Sequence, residues 1–278
     1  MSLRTTKTRE LTKHVLILFV LFFAFFPMYL MVIISFKDNQ QFTANPFLPD
    51  AIATWKIDNW AKGWHTVKNY IANSIVTSMG AVGLCLITSI LTAYVMARYR
   101  FFGREVIYYL IIGTMFLPST AAALVTLFDL LRQAGMINKL STLVIVGAVA
   151  GQVTCIFILR QFIEEIPKEL FESAQLDGAG HIQQIWNIVL PMSGSVMGTL
   201  AIMQFIGNWN NLMLPLIVMR DDELLTVPVG LMRLEGEYVK EWGELMAGYT
   251  ISSIPLIIMF LFTMRLFVKG LAAGAVKG

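Results

Sequence analysis

Long apolar runs, each about the length of a bilayer crossing, alternate with shorter polar stretches along nearly the whole chain. A crossing helix needs about 20 predominantly apolar residues at ~1.5 Å rise each. Six stretches meet this requirement, near 15–36, 71–97, 106–128, 142–163, 191–219 and 246–268. The pattern predicts an all-α membrane protein with six transmembrane helices, a tail over 1–14 and one transmembrane domain over 15–278. Arg4, Lys7, Arg9 and Lys13 precede the first run as basic residues precede a signal peptide. Its apolar core is too long for a signal, however, and no small-residue cleavage pattern follows, so it is expected to remain as a helix. Orientation follows from the Lys and Arg residues flanking the runs, with the basic tail and the short loop of Arg98, Arg100 and Arg104 the strongest indicators. Both place the N-terminus, and with six crossings the C-terminus, in the cytoplasm.

One polar stretch differs from the rest. Residues 164–190, between the fourth and fifth runs, are charged, helix-forming and broken by glycine. Pro167 suits the start of a helix, where its missing N–H costs nothing, and Glu169 and Glu172 suit the positive end of the helix dipole. Leu170, Phe171 and Ala174 recur at helical spacing, and Asp177-Gly178-Ala179-Gly180 supplies a helix-ending turn. A second amphipathic turn, with Ile182, Ile185, Trp186 and Val189, runs to Leu190-Pro191. The expectation is a short helix–turn–helix lying along the cytoplasmic membrane surface.

Within the fifth run, Gln204, Asn208 and Asn211 follow i, i+4, i+7 spacing and so are expected to share one helical face. Pro215 is expected to kink that helix by leaving the Asn211 carbonyl without its partner. Amides in hydrocarbon need partners, which leaves two readings: hydrogen bonds that join helices, or a lining for a hydroxyl-rich solute. Pro118, beside Ser119 and Thr120, is expected to break the third run. Outside the membrane, Trp55, Trp60, Trp64 and Trp242 read first as interfacial anchors and second as docking groups.

Composition narrows the function classes. Of 278 residues, 56% are hydrophobic and 14% charged, with a mean hydropathy of +0.67, which is a polytopic membrane composition. The net charge of +3 is spread over membrane-flanking loops, so nucleic acid is not an expected partner. Cys85 and Cys155 lie in apolar runs and are expected to be buried. No GxxxxGK[ST] or HExxH pattern is present, and His14, His65 and His181 fall in separate segments. No catalytic residue, metal site or cofactor of its own is therefore expected. A secondary transporter or channel is the alternative, but intramembrane ion-coupling acids and inverted repeats are not visible.

Glu172-Ser173-Ala174, Asp177-Gly178-Ala179-Gly180, and Ile188, Leu190 and Pro191 resemble the EAA signature of permease subunits of bacterial ABC importers. Ala93 to Arg104, Asn208 to Val218, Leu225 to Leu231 and Gly270 to Gly278 narrow the resemblance to maltose-type carbohydrate-importer permeases. Ser173 stands where the family usually has a second alanine. The resemblance implies a partner permease, two cytoplasmic ATPases that bind ATP and Mg, and an extracytoplasmic solute-binding protein, assembled in a bacterial cell membrane. By the same carry-over, 164–190 would be the coupling loop. Glu172 and Ser173 would meet the ATPase, Ala174 would allow close packing, and Asp177, Gly178, Ala179 and Gly180 would fix the turn.

Overall fold

The computed structural model describes residues 2–117, 121–235 and 241–275, and all regular structure among them is helical. Five helices among the described residues are long and apolar enough to cross a membrane: Glu10–Ser35, Asp58–Arg98, Leu140–Glu165, His181–Trp209 and Trp242–Thr263. The third predicted run is divided between two shorter helices. Pro118, Ser119 and Thr120, the expected break, lie outside the described residues.

By contacts the chain forms two compact units. The first combines residues up to Lys68 with Leu231–Pro255. It opens with α1 (Ser2–Ser35), whose apolar side chains from Val15 to Phe23 are exposed, as lipid-facing residues would be. Asp38 then starts α2 (Asn39–Ala44) with a reciprocal capping box: its carboxylate accepts from the Gln41 N–H at 2.9 Å, and Gln41 Oε1 accepts from the Asp38 N–H at 2.9 Å. The Gln41 N–H and the nearby Lys56 hold the Asp38 carboxyl below its ordinary pKa of 3.8.

The loop beyond α2 is fastened from within. Buried Lys37 donates to Asp50 at 2.7 Å and to the Asn45 carbonyl at 2.8 Å. Trp55 donates to the Asp50 carbonyl, Trp60 donates to Ser35 Oγ, and both indoles stack on Phe36 at 4.6 and 5.4 Å. These two tryptophans hold the loop together, a role that the interfacial-anchor reading did not anticipate. Trp242 is likewise engaged, stacked on Phe42 at 4.9 Å, whereas Trp64 is 53% exposed.

The second unit covers Asn69–Gly230 and Leu256 onward. Along the chain run α3 (Asp58–Arg98), α4 (Arg104–Gly113), α5 (Ala121–Gln133), α6 (Leu140–Glu165), α7 (Lys168–Leu176), α8 (His181–Gln184), α9 (Leu190–Trp209), α10 (Met213–Val218), α11 (Val227–Glu235) and α12 (Trp242–Ala275). One apolar cluster gathers Cys85, Tyr94, Leu159, Ile163, Phe171, Val189 and Leu200, and a second gathers Leu131, Leu143, Leu214, Val218, Leu225 and Val229. Cys85 and Cys155 are buried free thiols with their sulfurs 3.7 Å apart.

Lipid tails are as apolar as leucine, so helices in a membrane associate through close packing and polar contacts more than through hydrophobic burial. The α6–α9 pair shows this directly. A Cβ on Gly147 would lie 2.1 Å from Asn208 Oδ1, and one on Gly151 would lie 2.0 Å from Gln204 Oε1. The amides rest on bare glycine backbone.

Candidate coupling loop and polar helix face

The 164–190 segment is built from its local sequence. After α6 ends at Glu165, Ile166 is buried, and Pro167 occupies the position just before α7 at φ −53° and ψ 134°. The helix begins at Lys168, so Pro167 sits one position earlier than its expected place in the first turn. At the other end the Gly178 N–H bonds to the Gln175 carbonyl at 3.0 Å and the Ala179 N–H to the Ala174 carbonyl at 2.8 Å, with Gly178 at φ 81°. This pair of bonds is a Schellman closure, which requires the left-handed conformation that glycine adopts without strain. The turn expected at Asp177-Gly178-Ala179-Gly180 forms in that way.

The second half of the loop departs from expectation. Instead of a separate surface turn ending near Pro191, α8, a π turn over Ile185–Val189 and α9 form one 29-residue stretch from His181 to Trp209. Pro191 has no N–H for the Asn187 carbonyl and would crowd it, and a locally widened ladder just before a proline accommodates both problems. The loop therefore passes straight into a membrane-crossing helix.

Glu172, Ser173, Asp177, Gly178 and Gly180 are exposed, and Ala174 and Ala179 are half-buried. Beside them three large apolar side chains are open: Leu176 is 90% exposed, Ile182 71% and Trp186 66%. The opposite side of the loop is anchored. Phe171 is 1% exposed, packed in the apolar cluster with the Arg98 guanidinium 3.8 Å above its ring. Tyr94 donates to Gln184 Oε1 at 2.9 Å, and Gln184 in turn donates to the Ala179 carbonyl at 3.1 Å. His181 lies 3.2 Å from the Tyr94 hydroxyl, with its ring 4.9 Å from that of Tyr99.

A second polar cluster ties α4 to α6 near the loop. Arg160 donates to Glu164 at 2.9 Å and to both Glu105 oxygens at 3.0 and 3.1 Å, with its guanidinium 3.7 Å over the Tyr108 ring. Hydrogen bonds from Arg104 first, then from Arg160, lower the Glu105 pKa from its ordinary 4.5.

Tyr94, Arg98, Tyr99, Gln184 and Arg160 were not singled out in the sequence as site residues. The one available signal was the Ala93–Arg104 stretch, whose tyrosines and arginines follow an apolar run.

The three amides of the fifth run do not share one helical face. α9 ends at Trp209, and Asn211 lies in the break before α10, where its Oδ1 accepts from the Leu214 N–H at 3.3 Å. The helix stops altogether here instead of kinking, and the Asn211 carbonyl has no N–H to meet at Pro215. Pro215 sits in the first turn of α10, where no N–H is needed. Gln204 donates to Cys85 Sγ at 3.2 Å, and Asn208 donates to the Gln204 carbonyl at 2.8 Å. Asn208 and Asn211 also border a narrow cleft with Thr77, Leu143 and Thr226.

Comparison with known proteins places this architecture. Residues 85–273 match the family described as the binding-protein-dependent transport system inner membrane component. The chain is 31% identical to the arabinooligosaccharides transport system permease protein AraQ of Halalkalibacterium halodurans, over 94% of each chain. It is 30% identical to the trehalose/maltose transport system permease protein MalG of Thermococcus litoralis, over 91% of each. Its fold is similar to that in the crystal structure of a bacterial ABC transporter involved in the import of the acidic polysaccharide alginate, with a TM-score of 0.83, 19% identity and coverage of 95% and 98% of the two chains. The family match spans most of the chain and two relatives align over nearly all of it, so this protein belongs to the inner-membrane component family of binding-protein-dependent transport systems.

Proposed function

We propose that this chain is one of two membrane-spanning permease subunits of an ATP-driven importer for a carbohydrate. Its relatives are named for arabinooligosaccharides, trehalose and maltose, which supports a mono- or oligosaccharide as the solute. The loop geometry carries the mechanism: Leu176, Ile182 and Trp186 project from a loop whose other side is fixed by Phe171 and Gln184. An open apolar patch beside Glu172 and Asp177 fits a cleft in a partner protein. In this reading the partners at the loop are two cytoplasmic ATPases that hold ATP and Mg, and this subunit does no hydrolysis and carries no cofactor. ATPase closure moves the loop as a packed element and rocks the helices between inward-open and outward-open states.

The same reading places six crossings in a single transmembrane domain, with α4 and α5 together making the sixth and both termini in the cytoplasm. The assembly sits in a bacterial cell membrane and receives solute from an extracytoplasmic binding protein. For Gln204 and Asn208 we favour a helix-joining role, supported by their seating on Gly151 and Gly147. A solute-lining role is the second reading: Asn208 and Asn211 border one narrow cleft with Thr77 and Thr226, which would have to widen to admit a sugar.

The decisive experiment co-expresses the chain with a second permease, an ATPase and a binding protein, then measures binding-protein-dependent uptake of labelled oligosaccharides into proteoliposomes. ATP-dependent uptake is expected. Uptake independent of ATP, driven instead by an ion gradient, would reject the proposal in favour of a secondary transporter.

A further inference from the structure

The coupling loop is joined covalently to α6 and, through α8, to α9, but two of its side-chain anchors come from a third helix. The end of α3 contributes Tyr94, 2% exposed, whose hydroxyl reaches the turn through Gln184 and the Ala179 carbonyl. One helical turn on, Arg98 covers the face of buried Phe171 in α7. The first contact holds the turn and the second holds the helix, so the loop is fixed at two points that its own connections do not supply. An aromatic face and a guanidinium attract through the ring quadrupole, and the attraction grows when both are shielded from water.

We propose that Tyr94 and Arg98 are positioning residues which clamp the coupling loop to α3, so that a displacement of the loop drives α3 together with α6 and α9. The inference rests on the coupling role of the loop given above. Without the clamp the loop still binds its partner, but part of each ATPase stroke tilts the loop instead of moving the helices. The predicted signature is a fall in solute moved per ATP hydrolysed.

The test uses the complete transporter in proteoliposomes, measuring uptake and hydrolysis in the same preparation for Arg98→Ala, Arg98→Lys and Tyr94→Phe. Arg98→Ala is expected to lower the uptake-to-hydrolysis ratio about two- to five-fold, in line with the loss of one cation–π contact. Arg98→Lys, which keeps a cation over Phe171, should restore most of it, and Tyr94→Phe should lower it with the ATPase still bound. Uptake and hydrolysis falling in parallel, with the ratio unchanged, would reduce the clamp to ordinary packing and overturn the proposal. Should Arg98→Ala fail to assemble, Arg98→Gln makes the same comparison under the same criterion. Leu176→Asp, at the open face, separates the two ideas: if the ATPase still co-purifies with that variant, the coupling reading fails, whatever the ratios show.

Discussion

Gly178 combines a φ of 81° with open space around its missing side chain, since no atom beyond its own chain neighbours lies within 4 Å of where a Cβ would be. Substitution there tests backbone strain alone. Gly178→Val should cost about 1–3 kcal/mol at the turn and abolish co-purification of the ATPase without preventing membrane insertion. Gly178→Asn should be tolerated, because asparagine visits the left-handed region. Retained ATPase binding in the valine variant would show that the turn's shape is not what the partner recognises. Glu105 makes a separate prediction. Its folded pKa lies below the ordinary 4.5, so its contribution to stability is present above that value and lost as pH falls through the lowered one. In thermal unfolding of the detergent-solubilised protein, the advantage of the native chain over Glu105→Gln should therefore shrink as pH falls below about 4.5; a constant difference would mean that the Arg104–Glu105–Arg160 group adds nothing.

At the scale of helices, features determined by neighbouring residues were legible in the sequence and those determined by distant ones were not. The end of α7 was legible, because Asp-Gly after an amphipathic run encodes a turn locally. Continuity from α8 into α9 was not, because Pro191 reads as a stop, whereas in the structure a π turn carries the helix past it. The break after Trp209 was missed for a related reason: Pro215 suggested a kink within a helix, but the residue serves as well in the first turn of a new one. The partner of Phe171 lies 73 positions earlier in the sequence, at Arg98, beyond the reach of any periodicity. Helix pairing itself yields a prediction. Gly151→Val would drive a side chain into the Gln204 amide and should destabilise the α6–α9 pair by about 1–3 kcal/mol, read as loss of folded yield. Gln204→Leu should cost only ~0.6–2 kcal/mol. If uptake instead falls while yield and ATPase activity hold, the amide faces the solute.

At the scale of the whole molecule, single cysteines near Arg100 or within 164–190 should be labelled only from the cytoplasm, and those near Trp60 or Glu235 only from outside. The native thiols do not interfere, since Cys85 and Cys155 are 0% and 1% exposed. Labelling with the sides exchanged would reject the orientation and, with it, any cytoplasmic partner for the loop. The seating of Gln204 and Asn208 on Gly151 and Gly147 has a mechanical consequence for such a transporter. Two side chains lodged against bare backbone, one helical turn apart, act as a detent. Sliding α9 along α6 would carry both amides off the glycines, the places on this face where no side chain occupies the space they fill. Register therefore resists shear between these two helices, and a change in access to the membrane's two sides is expected to be taken up more readily at other boundaries.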